Sequence, residues 1–157
     1  MKIWRLTRAK HAPTGAAAFT GAGGLYSEGR WHSRGRPIVY SASGESLAKL
    51  EALVHYQPVL RAPLVMIEAT LPDGLVAAVA TLPPDWNAVP DTGAARSVGD
   101  AWLVSGSSLA LEVPSVLATD EKNILLNPSH PDFSKVTIGA PVAFFFDPRL
   151  LDPSLRK

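Results

Sequence analysis

The stretch GRWHSRGRPIVYSASGESLAKLE, residues 29–51, decides the architecture. Residues 30–32 and 38–41 read as two short strands, joined by the turn-forming run Ser33-Arg34-Gly35-Arg36-Pro37. In extended backbone Arg30 and His32 share one face, as do Ile38 and Tyr40. A helix follows, capped by Ser43 or Ser46, running to about Tyr56 and stopped by Pro58. At about 100° per residue, Leu47, Leu50 and Val54 form its apolar side. Glu51 lies only about 40° from Leu47, and His55 about another 40° on. A charge so near a buried stripe needs a partner or a cavity. An ion pair with His55 at i,i+4 would serve, worth about 0.2–0.5 kcal/mol. The alternative is a chemical role.

Outward from this stretch the chain reads as many short elements. Residues 2–7 alternate in polarity as a first strand, and residues 14–24 form a Gly/Ala-rich loop. Residues 64–71 are nearly continuously apolar, as in a central strand buried on both faces. Residues 76–82 suit another strand. Pro83-Pro84 opens a loop reaching Pro90, and residues 94–105 suit a second helix. Residues 110–116 and 123–126 are short strands, residues 127–133 a loop, and residues 143–146 a final strand. Asn127 and His130 are expected to hold that loop through side-chain to backbone bonds, and Trp31, Trp86 and Trp102 to lie in the core. The expectation is an α+β fold: a single compact domain with small mixed or antiparallel sheets and a few helices, without internal repeat or linker.

Composition narrows the function. With 157 residues, the chain is about one domain long and can bury a substantial core. Apolar residues make up 46% and charged residues 18%, which excludes intrinsic disorder. A formal net charge of +1 offers no electrostatic case for nucleic acid or anionic membrane. The chain lacks cysteine, and its four histidines have no metal-ligand spacing, so no metal is expected. The first residues contain no apolar h-region, and no stretch approaches the ~18 apolar residues of a membrane span. A soluble cytoplasmic protein is expected.

Common catalytic templates do not fit. Tyr26 breaks a G-x-G-x-x-G reading of the glycines at 21–24, and neither a nucleophile elbow nor a phosphate-binding P-loop is present. Asp120 and Glu121 could supply a glycosidase-like acid pair, on no more than their presence.

The arrangement of Arg30, Tyr40 and Glu51 resembles the RES domain, a family named for its Arg, Glu and Ser. Ser115, in LALEVPSVLATDEKNILLNPSHPDF, matches the third letter. GGLYSEGRWHSRGRPIVYSASGESLAKLE, GDAWLVSGSSLALEVPS and FFFDPRL follow in order, so the resemblance runs from about Trp4 to Leu151, and residues 1–157 are expected to form one RES domain. It implies an ADP-ribosyltransferase-like fold and the toxin role in a bacterial toxin–antitoxin pair. The implied substrate is NAD+, cleaved at the nicotinamide–ribose bond by hydrolysis or phosphorolysis. The alternatives are mono-ADP-ribosylation of a protein and a non-catalytic module that binds the antitoxin. The implied partner is an Xre-like antitoxin covering the active site, besides any protein that accepts ADP-ribose.

The chemistry suits those residues. Glu51 can stabilise positive charge developing on the ribose or bind a ribose hydroxyl. Arg30 can pair with the phosphates. Tyr40 offers a flat face and a hydroxyl to nicotinamide, Ser115 a small hydroxyl to ribose or phosphate, and His55 can hydrogen-bond and tune Glu51.

Overall fold

Polarity alternation at the N-terminus and apolar runs further on produce strands that meet in one sheet. The structure is a computed structural model in which residues 1–55, 62–152 and 154 are described. In chain order the elements are β1 (Lys2–Arg8), α1 (Gly15–Ala18), α2 (Gly23–Tyr26), β2 (Val39–Ala42), α3 (Glu45–His55), β3 (Leu64–Thr70) and β4 (Val76–Ala78). They continue with α4 (Arg96–Ser105), β5 (Ala110–Pro114), β6 (Lys122–Leu126), β7 (Thr137–Ile138), β8 (Val142–Phe144) and α5 (Pro148–Leu151). Among the described residues the strands form a mixed sheet in the order β4-β5-β6-β2-β1-β3-β7, with β8 also paired to β3. The α+β class and mixed pairing are as expected, but the strands join one sheet instead of several small ones. Only β4 and β5 run parallel; the other pairs are antiparallel.

Strand alternation sends side chains to two faces. On one face Ile3, Val39, Ile67, Ile124 and Leu126 pack with Phe19, which comes from the segment after β1. The other face carries two clusters side by side. α3 lays Leu47, Ala48 and Ala52 over Leu6, Ala42 and Leu64, while Trp31 and α4's Trp102 cover Leu111, Val113 and Leu125. The expected tryptophan core is thus formed by Trp31 and Trp102, with Trp86 partly buried against them. Asn127 and His130 hold their loop as expected, each accepting from a backbone N–H two residues on.

Several local expectations change. Residues 30 and 31 form a turn closed by an isolated Gly29–His32 bridge, because among the described residues the segment has no neighbouring strand to pair with. The Gly/Ala-rich loop contains α1, capped by the Thr14 hydroxyl, and α2. Ser43 does not cap α3, since its hydroxyl accepts from Lys122 N; Ser46 lies inside the helix, and the Gly44 carbonyl accepts the first helical bond, from Ala48. β3 has pairing partners on both edges, but Glu68 and Thr70 are exposed, so only one of its faces is buried throughout. The expected end of α3 at Tyr56 and its stop at Pro58 lie outside the described residues.

α4 fixes the turn that carries Arg30. Arg96, Gly99 and Asp100 stand three and four residues apart, on one helix face. Arg96 Nε donates to the Gly29 carbonyl at 3.0 Å, and Asp100 accepts from Ser33 N and pairs with Arg36, each at 2.9 Å. Between them, Gly99 lets the Trp31 carbonyl press onto the helix: a Cβ there would lie 1.8 Å from that oxygen. We therefore expect Gly99→Ala to destabilise the fold by roughly 1–3 kcal/mol, despite the ~1 kcal/mol helix-propensity gain of alanine. Urea denaturation measures this, and a net stabilisation would contradict the close packing.

Candidate active site

Glu51 belongs to the buried side of α3, which is not the side its sequence suggests. Leu50 and Val54 are 42% and 57% exposed, whereas Leu47, Ala48 and Ala52 are buried. The buried arc spans about 140° from Leu47 to Ala52, and Glu51, about 40° from Leu47, falls inside it. Its side chain keeps 26% exposure, so the carboxylate reaches the rim of the packed region.

Two donors converge on one of its oxygens. Asn123 Nδ2 donates to Glu51 Oε1 at 2.6 Å, and Ser115 Oγ donates to the same atom at 2.9 Å. A carboxylate only accepts, so the Asn123 atom facing it is the NH2 group. Ser115, just beyond β5, accepts in turn from Leu117 N at 3.0 Å, which directs its own proton to Glu51. The second oxygen, Oε2, lies 3.9 Å from His55 Nε2, and that imidazole is 74% exposed. The His55 pair is therefore loose and solvated, a weak contact beside the two hydrogen bonds. Among the described residues no Lys or Arg pairs with Glu51.

Tyr40 and Asn123 stand on the same sheet face. Tyr40 pairs with Leu125 and Ala42 with Asn123, so Asn123 is the diagonal neighbour of Tyr40, with backbones roughly 7–8 Å apart. The Tyr40 hydroxyl is committed to the Arg30 turn: it accepts from Trp31 N at 3.2 Å and meets His32 Nδ1 at 2.8 Å. His32 Nε2 lies 3.0 Å from the Ser27 carbonyl, which can only accept, so Nε2 carries the proton and Nδ1 accepts from Tyr40. Burial lowers the His32 pKa from 6.5, with the Ser27 carbonyl partly opposing, and raises that of Tyr40.

Arg30 faces the loop opened by Pro83-Pro84. Its Nη1 donates to the Trp86 carbonyl at 2.6 Å and to that of Ala88 at 3.2 Å, Nη2 also reaches Ala88, and Asp91 lies 3.6 Å away. Asp91 also pairs with Arg96 at 3.0 Å, so one carboxylate links two guanidiniums. Glu51, Ser115 and His55 thus form one contact group; Tyr40 and Arg30 form a second, joined through the Trp31 backbone and bordering the first along the sheet. Asn123 and His32 were not singled out in the sequence. Asn123 had one visible signal: it is the polar start of an apolar strand. Among the described residues no group of three or more His, Cys, Asp or Glu could hold a metal ion, and no helix is long and apolar enough to cross a membrane.

Residues 2–147 match the model of the RES domain family. "Toxin Res" of Photorhabdus laumondii is 37% identical over 138 residues, covering 86% of both chains. The "Prs ADP-ribosylating toxin" of a Sphingobium species is 37% identical over 141 residues, 84% of this chain and 86% of that one. A chain from the crystal structure of the M. tuberculosis MbcT–MbcA toxin–antitoxin complex superimposes with a TM-score of 0.71 over 92% of this chain and 84% of its own. The TM-score establishes a shared fold, and at 17% identity the likeness is one of fold alone.

Two outcomes follow from the Tyr40–His32 contact. Tyr40→Phe keeps the ring but strands the Trp31 N–H and His32 Nδ1, so stability should fall by about 1–3 kcal/mol in chemical denaturation. A ring face that serves as a stacking surface would be preserved, leaving ligand affinity near that of the parent. Because His32 titrates lower when folded, its stabilising contribution is complete above 6.5 and is lost as pH falls from there toward the lowered value. Denaturation series across that window should show this component in the parent and not in His32→Gln.

Proposed function

The chain belongs to the RES domain family, and we propose that it is the toxin of a toxin–antitoxin pair that cleaves the nicotinamide–ribose bond of NAD+ in the cytoplasm. The observation that carries this is the Glu51 carboxylate, fixed by two donors on Oε1 and without a Lys or Arg partner among the described residues. When nicotinamide departs with the electrons of the C–N bond, positive charge develops across the ribose ring carbon and oxygen. A preorganised carboxylate stabilises that charge without reorganisation cost. Nicotinamide leaves as a neutral ring, so no general acid is needed. The acceptor, water or phosphate, then adds to the ribose carbon.

The remaining residues take supporting roles. Arg30 meets the diphosphate through Nε and the second Nη2 hydrogen, which no hydrogen bond to a described residue engages. Tyr40 presents its ring to nicotinamide, since its hydroxyl is occupied internally. Ser115 acts at the carboxylate, and His55 borders the open oxygen Oε2. No metal takes part. The partner is an antitoxin of the Xre-like kind, blocking the site; the MbcT–MbcA complex with the same fold supports such a partnership.

The name of the Sphingobium relative favours a second acceptor, a protein side chain, in which case ADP-ribose is transferred to a target. Incubation with NAD+ alone separates the two: free ADP-ribose or its phosphorolysis product marks the first, labelling of a protein the second.

Glu51→Gln tests the common step. The amide keeps shape and reach but lacks charge, so kcat should fall on the order of 10²-fold or more with NAD+ affinity nearly unchanged. A simple helix-edge ion pair would instead cost under ~1 kcal/mol of stability and leave turnover intact. Near-parental NAD+ consumption by the folded variant would end the catalytic assignment.

A further inference from the structure

We propose that Asn123 is a positioning residue that, together with Ser115, selects which oxygen of Glu51 meets the substrate. This rests on the proposed NAD+ chemistry but has a readout of its own. The last torsion of a glutamate side chain is broad and nearly two-fold, so an unheld carboxylate presents its oxygens interchangeably. Here both donors land on Oε1, at 2.6 Å from Asn123 and 2.9 Å from Ser115. Oε1 is thereby turned toward β5 and β6, and Oε2 becomes the oxygen presented outward, on the His55 side.

Asn123 is suited to the task by its backbone. It lies in β6 between two pairing partners, Ala42 of β2 and Val113 of β5, so the donor is anchored on both sides. Ser115 sits on the loop that leaves β5, with its acceptor side taken by Leu117 N. The pair approaches Glu51 from the loop after β5 and from β6, and restricts the carboxylate plane. A hydrogen bond to a carboxylate as short as 2.6 Å is of the charge-assisted kind. Ser115 thus also acts through Glu51, not on ribose or phosphate directly.

Three measurements test this. First, the Asn123 side-chain amide proton should resonate downfield of ordinary amides and return to the usual range in Glu51→Gln. A resonance unchanged by that substitution would overturn the contact. Second, Asn123→Ala should lower kcat roughly 10- to 100-fold with little change in KM, the size expected when a reacting group is displaced by about an ångström. A loss confined to KM would make Asn123 a substrate-binding residue and overturn the proposal. Third, Asn123→Ala added to Glu51→Gln should cost no further kcat, whereas an additive loss would show a role independent of Glu51. If Asn123→Ala does not fold, the nearly isosteric Asn123→Asp replaces it. Its carboxylate faces Oε1, so kcat should fall at least as far, and parental kcat would refute the assignment. If the parent consumes no NAD+, the proposed chemistry fails, while the amide resonance still decides the positioning.

Discussion

The pairing of β2 with β6 is the constraint on which the site depends. It sets Val39 against Leu126 and Ala42 against Asn123, joining the β1–β3 half of the sheet to the β5–β6 hairpin. Register in such a pair is all or nothing, because a one-residue slip turns every side chain to the opposite face. With this register Tyr40, Ala42, Leu125 and Asn123 share a face, and α3, which leaves β2 after only two residues, folds back over it. Glu51 then meets Asn123 without any special loop to deliver it. Ser41 adds a fixed point on the opposite face, donating to the Ile124 carbonyl at 2.6 Å.

The second group of candidate residues is held by a different means. Among the described residues the Arg30 turn has no strand neighbour, so its geometry comes from side chains: Tyr40 and His32 below, Arg96 and Asp100 of α4 alongside, and the Pro83–Pro90 loop above. Asp91 ties that loop to both Arg30 and Arg96. These contacts are only partly shielded from solvent, so each is worth less than a core contact and their strength lies in number. An arginine bound to two backbone carbonyls keeps little rotamer freedom.

Much of this was legible in the sequence, for identifiable reasons. Strong alternation or continuous apolarity gave β1, β3, β5 and β6 to within a residue or two at most ends, and the misplaced charge at Glu51 was visible from helical periodicity alone. The buried side of α3 was not, because Leu50 and Val54 are larger than Ala48 and Ala52, and size was read as burial. The helix sits close to the sheet, where two alanines fit. Arg30 was assigned to a strand on local preference, though no described strand pairs with it. Asn123 escaped notice because its significance lies in a partner 72 residues away.

That separation has a consequence for synthesis. Closing a contact across 72 residues carries a loop entropy that local helices and hairpins do not, so the Glu51 carboxylate is among the last groups to find its partners. At translation rates of about 5–20 residues per second, Asn123 is polymerised roughly 4–14 s after Glu51. During that interval α3 can pack on β1, β2 and β3, but an emerging chain contains the acidic side chain without the Ser115 and Asn123 donors that hold it. The paired donors on Glu51 are thus absent from nascent chains, and from chains truncated before β6, by topology alone.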